Sequence, residues 1–338
     1  MLENKITLDA PFDFDAGGRI DNLRVTFHTS KKDYSKDDKV IWICHALTAN
    51  SDPEDWWPQL VGPGKFFDTQ KYFIVCVNML GTPYGTEGPS SIDPSTGKPY
   101  FFNFPTLTIR DTVRIFSAVR KHLGIEQVDL LIGSSIGGFH ATEWCVTEPD
   151  VIKAAAIMAT DVRVSAWLSA SCEAQRMALE ADPTFREAKD LDGGKMGLKC
   201  ARAQALISYR SYEGYVATQS EADPDCFSAT RAASYERYQG EKLAKRYDAY
   251  SYWYLCNVLD THNVGRGRGG VESALSNITS RTFVVSIDSD CLFPARHMET
   301  WAKFIPGAKY YTISSAFGHD GFLLESEQLK ELIKPLMP

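Results

Sequence analysis

No two of the eight cysteines lie closer than 26 positions, so there is no Cys-x-x-Cys pair and no Cys/His cluster. That spacing argues against a zinc site or a redox dithiol, and the thiols read as reduced and mostly buried. No apolar run approaches the ~18 residues that a bilayer-spanning helix needs. The opening Met1-Leu2-Glu3-Asn4-Lys5 lacks the apolar core of a secretion signal, so a cytoplasmic protein is expected. Positive charge is also in deficit: 36 Lys and Arg stand against 43 Asp and Glu, a net charge of −7. That balance speaks against a dedicated binder of nucleic acid or of anionic membranes. Internal repeats and low-complexity tracts are missing too. What remains is an ordinary globular chain whose 338 residues bury a core without disulfides, as two domains or as one with an insertion.

Short apolar runs organise the chain. Val40-Ile41-Trp42-Ile43-Cys44, Tyr72 to Val77 and Val128 to Ile132 read as strands covered on both faces, after an alternating strand at Leu23 to His28. Between them, Ile109, Val113, Phe116 and Val119 recur at the spacing of one helix face, predicting a helix over 109–123. Later strands are expected at Ala154 to Met158, Phe283 to Ile287 and Tyr310 to Ile313. This alternation predicts an α/β fold, a mostly parallel sheet with helices on both faces. Residues 165–276 break the pattern: strand runs vanish and helix formers and aromatics take over. That stretch is expected to be a helical insertion into a core made of residues 1–164 and 277–338.

The strongest local signal is Gly133-Ser134-Ser135-Ile136-Gly137-Gly138, placed between a strand and a helical segment. Gly-x-Ser-x-Gly in that setting is a nucleophile elbow, which lifts Ser135 above the sheet edge beside a helix N-terminus. A serine hydroxyl needs a base to take its proton, and the base needs an acid to orient it. Asp290 follows the strand ending at Ile287, and His319 follows the strand ending at Ile313, giving the chain order Ser, acid, His. Asp288 competes for the acid role but sits nearer the strand end. Two backbone amides should receive the developing oxyanion, one from Ile136 and one from the loop after Cys44, with Leu47 the choice. His45 reads as a packing residue.

Further segments carry a resemblance: His45-Ala46-Leu47-Thr48, Trp56-Trp57-Pro58, Gly88-Pro89-Ser90-Ser91-Ile92, Tyr238-Gln239-Gly240-Glu241-Lys242 and Gly318-His319-Asp320-Gly321-Phe322. With these in order from about residue 20 onward, the chain resembles the homoserine O-acetyltransferase family of α/β-hydrolase-fold enzymes. The resemblance implies the triad Ser135, Asp290 and His319, a lid formed by the insertion, and Arg202 and Asp320 as the residues that hold the amino-acid acceptor. It implies acetyl-CoA as a substrate, no metal and no bound cofactor. The partners expected are small molecules and, through the lid helices, a second copy of the chain. The elbow departs from the family's usual Gly-Gly-Ser-Met-Gly-Gly-Met-Gln, with Ser134, Ile136, Phe139 and His140 at the changed positions. These neighbours are expected near the acyl group. Succinyl transfer to homoserine, acetyl transfer to serine and hydrolysis of small acyl esters stay open as alternatives.

Two other features compete for attention. Gly265-Arg266-Gly267-Arg268-Gly269-Gly270 matches a dinucleotide fingerprint but follows a helical stretch, so it reads either as a flexible basic turn or as a contact for the phosphates of coenzyme A. Trp56-Trp57 and the tyrosines of the insertion read as lid packing.

Overall fold

The computed structural model describes residues 1–228 and 230–338. Its centre is an eight-stranded sheet. In chain order the strands are β1 (Leu2–Thr7), β2 (Arg24–Thr29), β3 (Val40–Cys44), β4 (Phe73–Val77), β5 (Leu130–Ser134), β6 (Ala154–Met158), β7 (Arg281–Ile287) and β8 (Lys309–Ile313). In space they run β1-β2-β4-β3-β5-β6-β7-β8. The first two strands join antiparallel, and β3 to β8 are parallel.

The continuous apolar runs have the physical origin expected of them. Along β3, Val40, Trp42 and Cys44 enter the core on one face of the sheet, while Ile41 and Ile43 enter the core on the other. Both faces are covered by helices and loops, so no residue of β3 can be polar without cost. Helix α1 (Ile109–His122) starts from a capping box in which Thr108 and Asp111 satisfy each other's backbone amides. Strand β5 lies two residues later than its apolar run suggests. Gly133 pairs with Cys44 of β3 and Ser134 with Met158 of β6, so pairing on both sides extends the strand into the turn-like residues.

Among the described residues, seven helices and no strand lie between Ala166 and Leu275. Helix α2 (Ile136–Thr147) precedes them, and the four longest are α3 (Ala166–Glu180), α4 (Lys195–Tyr209), α5 (Thr230–Ala244) and α6 (Ala249–Asp260). Helices α3 and α6 are joined by an Arg176–Asp260 ion pair at 2.7 Å and by the Tyr252 hydroxyl donating to Gln175 at 2.6 Å.

Two expectations need correction. The 265–270 turn is not a free basic loop, because Arg268 forks onto Glu143 of α2 at 2.6 and 3.0 Å and Arg266 donates to the Thr261 carbonyl. Nor is Trp57 lid packing: it is buried in the core beneath the sheet beside Phe67, and its indole N–H donates to the Phe322 carbonyl. Trp56 stacks on Trp57 and lines the cleft described next.

Candidate active site

Ser135 links β5 to α2 with φ +58° and ψ −130°, a conformation that L-residues rarely adopt. Its surroundings over-determine that shape. The Ser135 amide is shared by the carbonyls of Met158 and Ala159, both at 3.1 Å, and Thr160 donates to the Ser135 carbonyl at 2.7 Å. A Cβ on Gly137 would stand 2.2 Å from the Cys44 carbonyl oxygen, so the elbow closes against β3 only without a side chain there.

The candidate acid and base, Asp290 and His319, come from the loops after β7 and β8. Asp290 Oδ1 accepts from the amides of Leu292 and Phe293 at 2.8 and 3.0 Å, which leaves Oδ2 to accept from His319 Nδ1–H at 2.7 Å. The imidazole nitrogen left for chemistry is therefore Nε2. Both residues are nearly inaccessible, at 4% and 3% exposure, and His319 is wedged among Tyr209, Phe293 and Phe322. Burial by itself depresses an imidazole pKa. Here the charge and hydrogen bond of Asp290, with Asp320 adding to them, override that penalty and leave His319 above 6.5. The competing Asp288 is committed elsewhere, accepting from the Ser315 amide at 3.0 Å.

The helical segment 166–275 docks directly on the loop that carries His319. Gly318 has φ +65°, and a Cβ there would lie 2.7 Å from the backbone of Arg210, just past the end of α4. Ser211 closes the contact by donating to the Ala316 carbonyl. The helical segment and His319 are thus held in one arrangement.

Ser135 lies in the wall of two neighbouring spaces that share Leu47 and Tyr209. The outer one is a cleft of about 290 Å³ whose wall includes Ser135, His319, Arg202, Tyr209, Arg210 and Asp320. The inner one, about 10 Å³, has room for roughly one water-sized group and is walled by Leu47, Ile136, Leu168, Cys172, Leu292 and Phe293. Leu47 and Ile136 flank Ser135 there, and among the described residues neither backbone amide has a protein acceptor.

Arg202 and Asp320 share the outer cleft, but they do not face each other as a free pair. Arg202 lies 5.6 Å from the Tyr209 ring centre, and Asp320 is ion-paired with Arg210, its carboxylate 3.1 Å from Nε. Arg210 also donates to the Tyr235 hydroxyl at 3.3 Å. The Asp320 side chain makes no capping bond to the helix that starts at Gly321. Arg210 and Tyr209 were not singled out in the sequence. Tyr209 stands seven residues after Arg202, two turns on along the same face of α4, a spacing that makes it readable; the Arg210–Asp320 pair joins distant segments and leaves no local trace.

The altered elbow residues separate into two groups. Only Ile136 lines the inner chamber. Ser134 is buried in the sheet, Phe139 stacks on His262 at 4.0 Å, and His140 packs against Phe116 in the core, so these three do not meet the acyl space as expected. The other buried histidines are structural. His45 donates from Nδ1 to the Ala46 carbonyl and accepts the Met79 amide at Nε2, and burial pushes it down to about 4. His262 bonds the Asp161 carbonyl and is pushed down by burial to about 3.

The family model described as alpha/beta hydrolase fold matches residues 39–326. A homoserine O-acetyltransferase of Cyclobacterium marinum is 41% identical over 322 residues, covering 95% of this chain and 91% of the relative. The solved homoserine O-acetyltransferase of Bacillus anthracis is similar at TM-score 0.89 and 23% identity, over 99% of this chain and 97% of that one. The structure of esterase E22 is similar at TM-score 0.89 and 22% identity, over 100% of both chains. At such identities these two structures speak for the fold alone. The near-complete alignment at 41% identity, with the matching family model, makes this chain a member of the homoserine O-acetyltransferase family within the α/β-hydrolase fold.

Proposed function

We propose that this protein transfers an acetyl group from acetyl-CoA to the side-chain hydroxyl of L-homoserine through an acyl-enzyme on Ser135. The observation that carries this reading is the shared cleft, in which Ser135 and His319 stand beside Arg202 and the carboxylate of Asp320. An enzyme that only hydrolyses simple esters has no need of a cation and a carboxylate at its nucleophile. A zwitterionic α-amino acid does need them, because each of its charges is costly to desolvate unpaired. Arg202 would receive the α-carboxylate and Asp320 the α-ammonium, turning the hydroxyl toward His319.

The chemistry runs in two halves. As Ser135 Oγ attacks the thioester carbonyl, its proton passes to His319 Nε2, and the oxyanion is held by the amides of Leu47 and Ile136. The C–S bond then breaks, the sulfur takes the proton from His319, and CoA leaves an acetyl ester on Ser135. In the second half His319 takes the proton of the homoserine hydroxyl, whose oxygen attacks the ester. Collapse returns the proton to Ser135 Oγ and releases O-acetylhomoserine. No metal or bound cofactor has a step to perform. The size of the inner chamber supports acetyl over succinyl: it has space for a methyl group and no cation for a succinyl carboxylate. The docked helical segment supports transfer over hydrolysis to the extent that it narrows the access of water to the ester.

A second copy is proposed to pack on the lid, where Trp167, Met177, Met196, Ile207 and Tyr212 are exposed. The proposed compartment is the cytoplasm, whose reducing conditions suit eight free thiols. Sedimentation showing only monomer at micromolar concentration would remove the dimer. The activity is tested by CoA release from acetyl-CoA and succinyl-CoA with homoserine, serine or no acceptor. O-Acetylhomoserine as the main product supports the proposal; acetate as the main product whatever the acceptor would make the protein an esterase.

A further inference from the structure

In a chain of net charge −7, the cleft around Ser135 is lined by four cations, Arg202, Arg210, Lys242 and Arg246, and by one carboxylate, Asp320. Their partners differ. Arg210 is ion-paired with Asp320, and Arg202 lies against Tyr209. Arg246 donates to two neutral oxygens, the Thr48 carbonyl and the Tyr84 hydroxyl. Among the described residues, Lys242 has no ion pair. The nearby carboxylate of Glu241 does not neutralise it, since Glu241 pairs with Lys199 at 2.6 Å. Gln239, Lys242 and Arg246 follow one another at three- and four-residue spacing, so one face of α5 and the turn after it forms this part of the wall. Both cations are solvent-exposed, which puts them at the mouth of the cleft while Ser135 is at its floor.

Size decides what sits at that mouth. About 290 Å³ is at the lower limit for a small-molecule pocket and cannot enclose a whole acyl-CoA. The acyl group and part of its neutral arm fill the cleft, so the nucleotide end with its phosphates must lie outside. We infer that Lys242 and Arg246 form the subsite for the phosphates of the CoA nucleotide. This rests on the acyl-CoA reading above and replaces the 265–270 turn as the phosphate contact, because neither Arg266 nor Arg268 lines the cleft and Arg268 is ion-paired with Glu143. A cation near a helix C-terminus also complements the helix dipole, a purely structural role that would not depend on the donor.

The test compares donors that share the thioester and arm but differ in phosphate: acetyl-CoA, acetyl-dephospho-CoA and acetyl-pantetheine, each with homoserine. In the unaltered enzyme kcat/KM should fall along that series, and its value with acetyl-CoA should fall with added salt. Lys242→Glu should lower kcat/KM for acetyl-CoA at least tenfold, mostly through KM, and leave acetyl-pantetheine unchanged. Lys242→Arg should restore it. Equal losses on all donors, or no loss on any, would overturn the inference. Calorimetric binding of CoA gives a readout independent of turnover. An enzyme that transfers nothing but binds CoA more weakly after Lys242→Glu refutes the acetyltransferase reading and keeps the subsite; equal CoA binding by both refutes the subsite.

Discussion

Asp290→Asn has an outcome that follows from its hydrogen bonds. The two amides at Oδ1, from Leu292 and Phe293, are donors and demand an oxygen. The Asn carbonyl must therefore stay with them, which turns the NH2 group toward His319 Nδ1. That nitrogen then has to accept, so the ring proton moves to Nε2, the atom that should take the proton of Ser135. A near-isosteric change thus installs the wrong tautomer. In serine triads this error costs about 10⁴ in kcat, roughly 5 kcal/mol of transition-state stabilisation. The same change shifts the pH profile to lower pH. In the unaltered protein burial depresses His319 and the Asp290 charge raises it above 6.5, so activity should rise through a pKa above 6.5 as the imidazole becomes neutral. In the variant only Asp320 opposes burial, and the residual activity should rise through a lower pKa than in the unaltered protein. Stability follows by linkage. Protonated His319 contributes stability that is fully present below the unfolded pKa near 6.5 and is lost as pH rises through the higher folded value. Stopped-flow CoA release across pH 5–9, with urea unfolding at both ends, measures all three effects. A variant within tenfold of normal kcat, or one with an unchanged acid limb, would refute the assignment of Asp290.

Ser135→Gly should abolish acylation yet stabilise the fold by about 1 kcal/mol or more, since glycine relieves the strain at φ +58°; urea unfolding that shows a loss would mean the elbow is unstrained. Leu168→Ala enlarges the inner chamber, so the preference for acetyl over propionyl donors, expected at tenfold or more, should shrink in competition assays. Arg210→Met removes the partner of Asp320 and should raise the homoserine KM about tenfold while the burst of CoA release keeps its rate, a split that single-turnover kinetics resolves.

Local physics made a large part of this protein legible. The run Val40 to Cys44 had to be a strand covered on both sides, because five successive apolar residues suit no other extended setting. Gly133, Ser135 and Gly137 between a strand and a helix marked the elbow, since the backbone approach at the two glycines admits no Cβ. The chain order of Ser135, Asp290 and His319 followed from loops after successive strands. Tertiary structure alone decided the rest. It supplied the partners that separate the two acids, the amides of Leu292 and Phe293 for Asp290 and that of Ser315 for Asp288, where strand position had already favoured Asp290. It turned Phe139 and His140 into the core and left Ile136 as the one altered elbow residue facing the acyl chamber, because a helix on the sheet buries most of its circumference. It pinned the 265–270 turn to Glu143, paired Arg210 with Asp320, and gathered Lys242 and Arg246 at the mouth of the cleft. Charges meet across long stretches of chain only after the hydrophobic core has brought their segments together, and so their pairing is written in no local pattern.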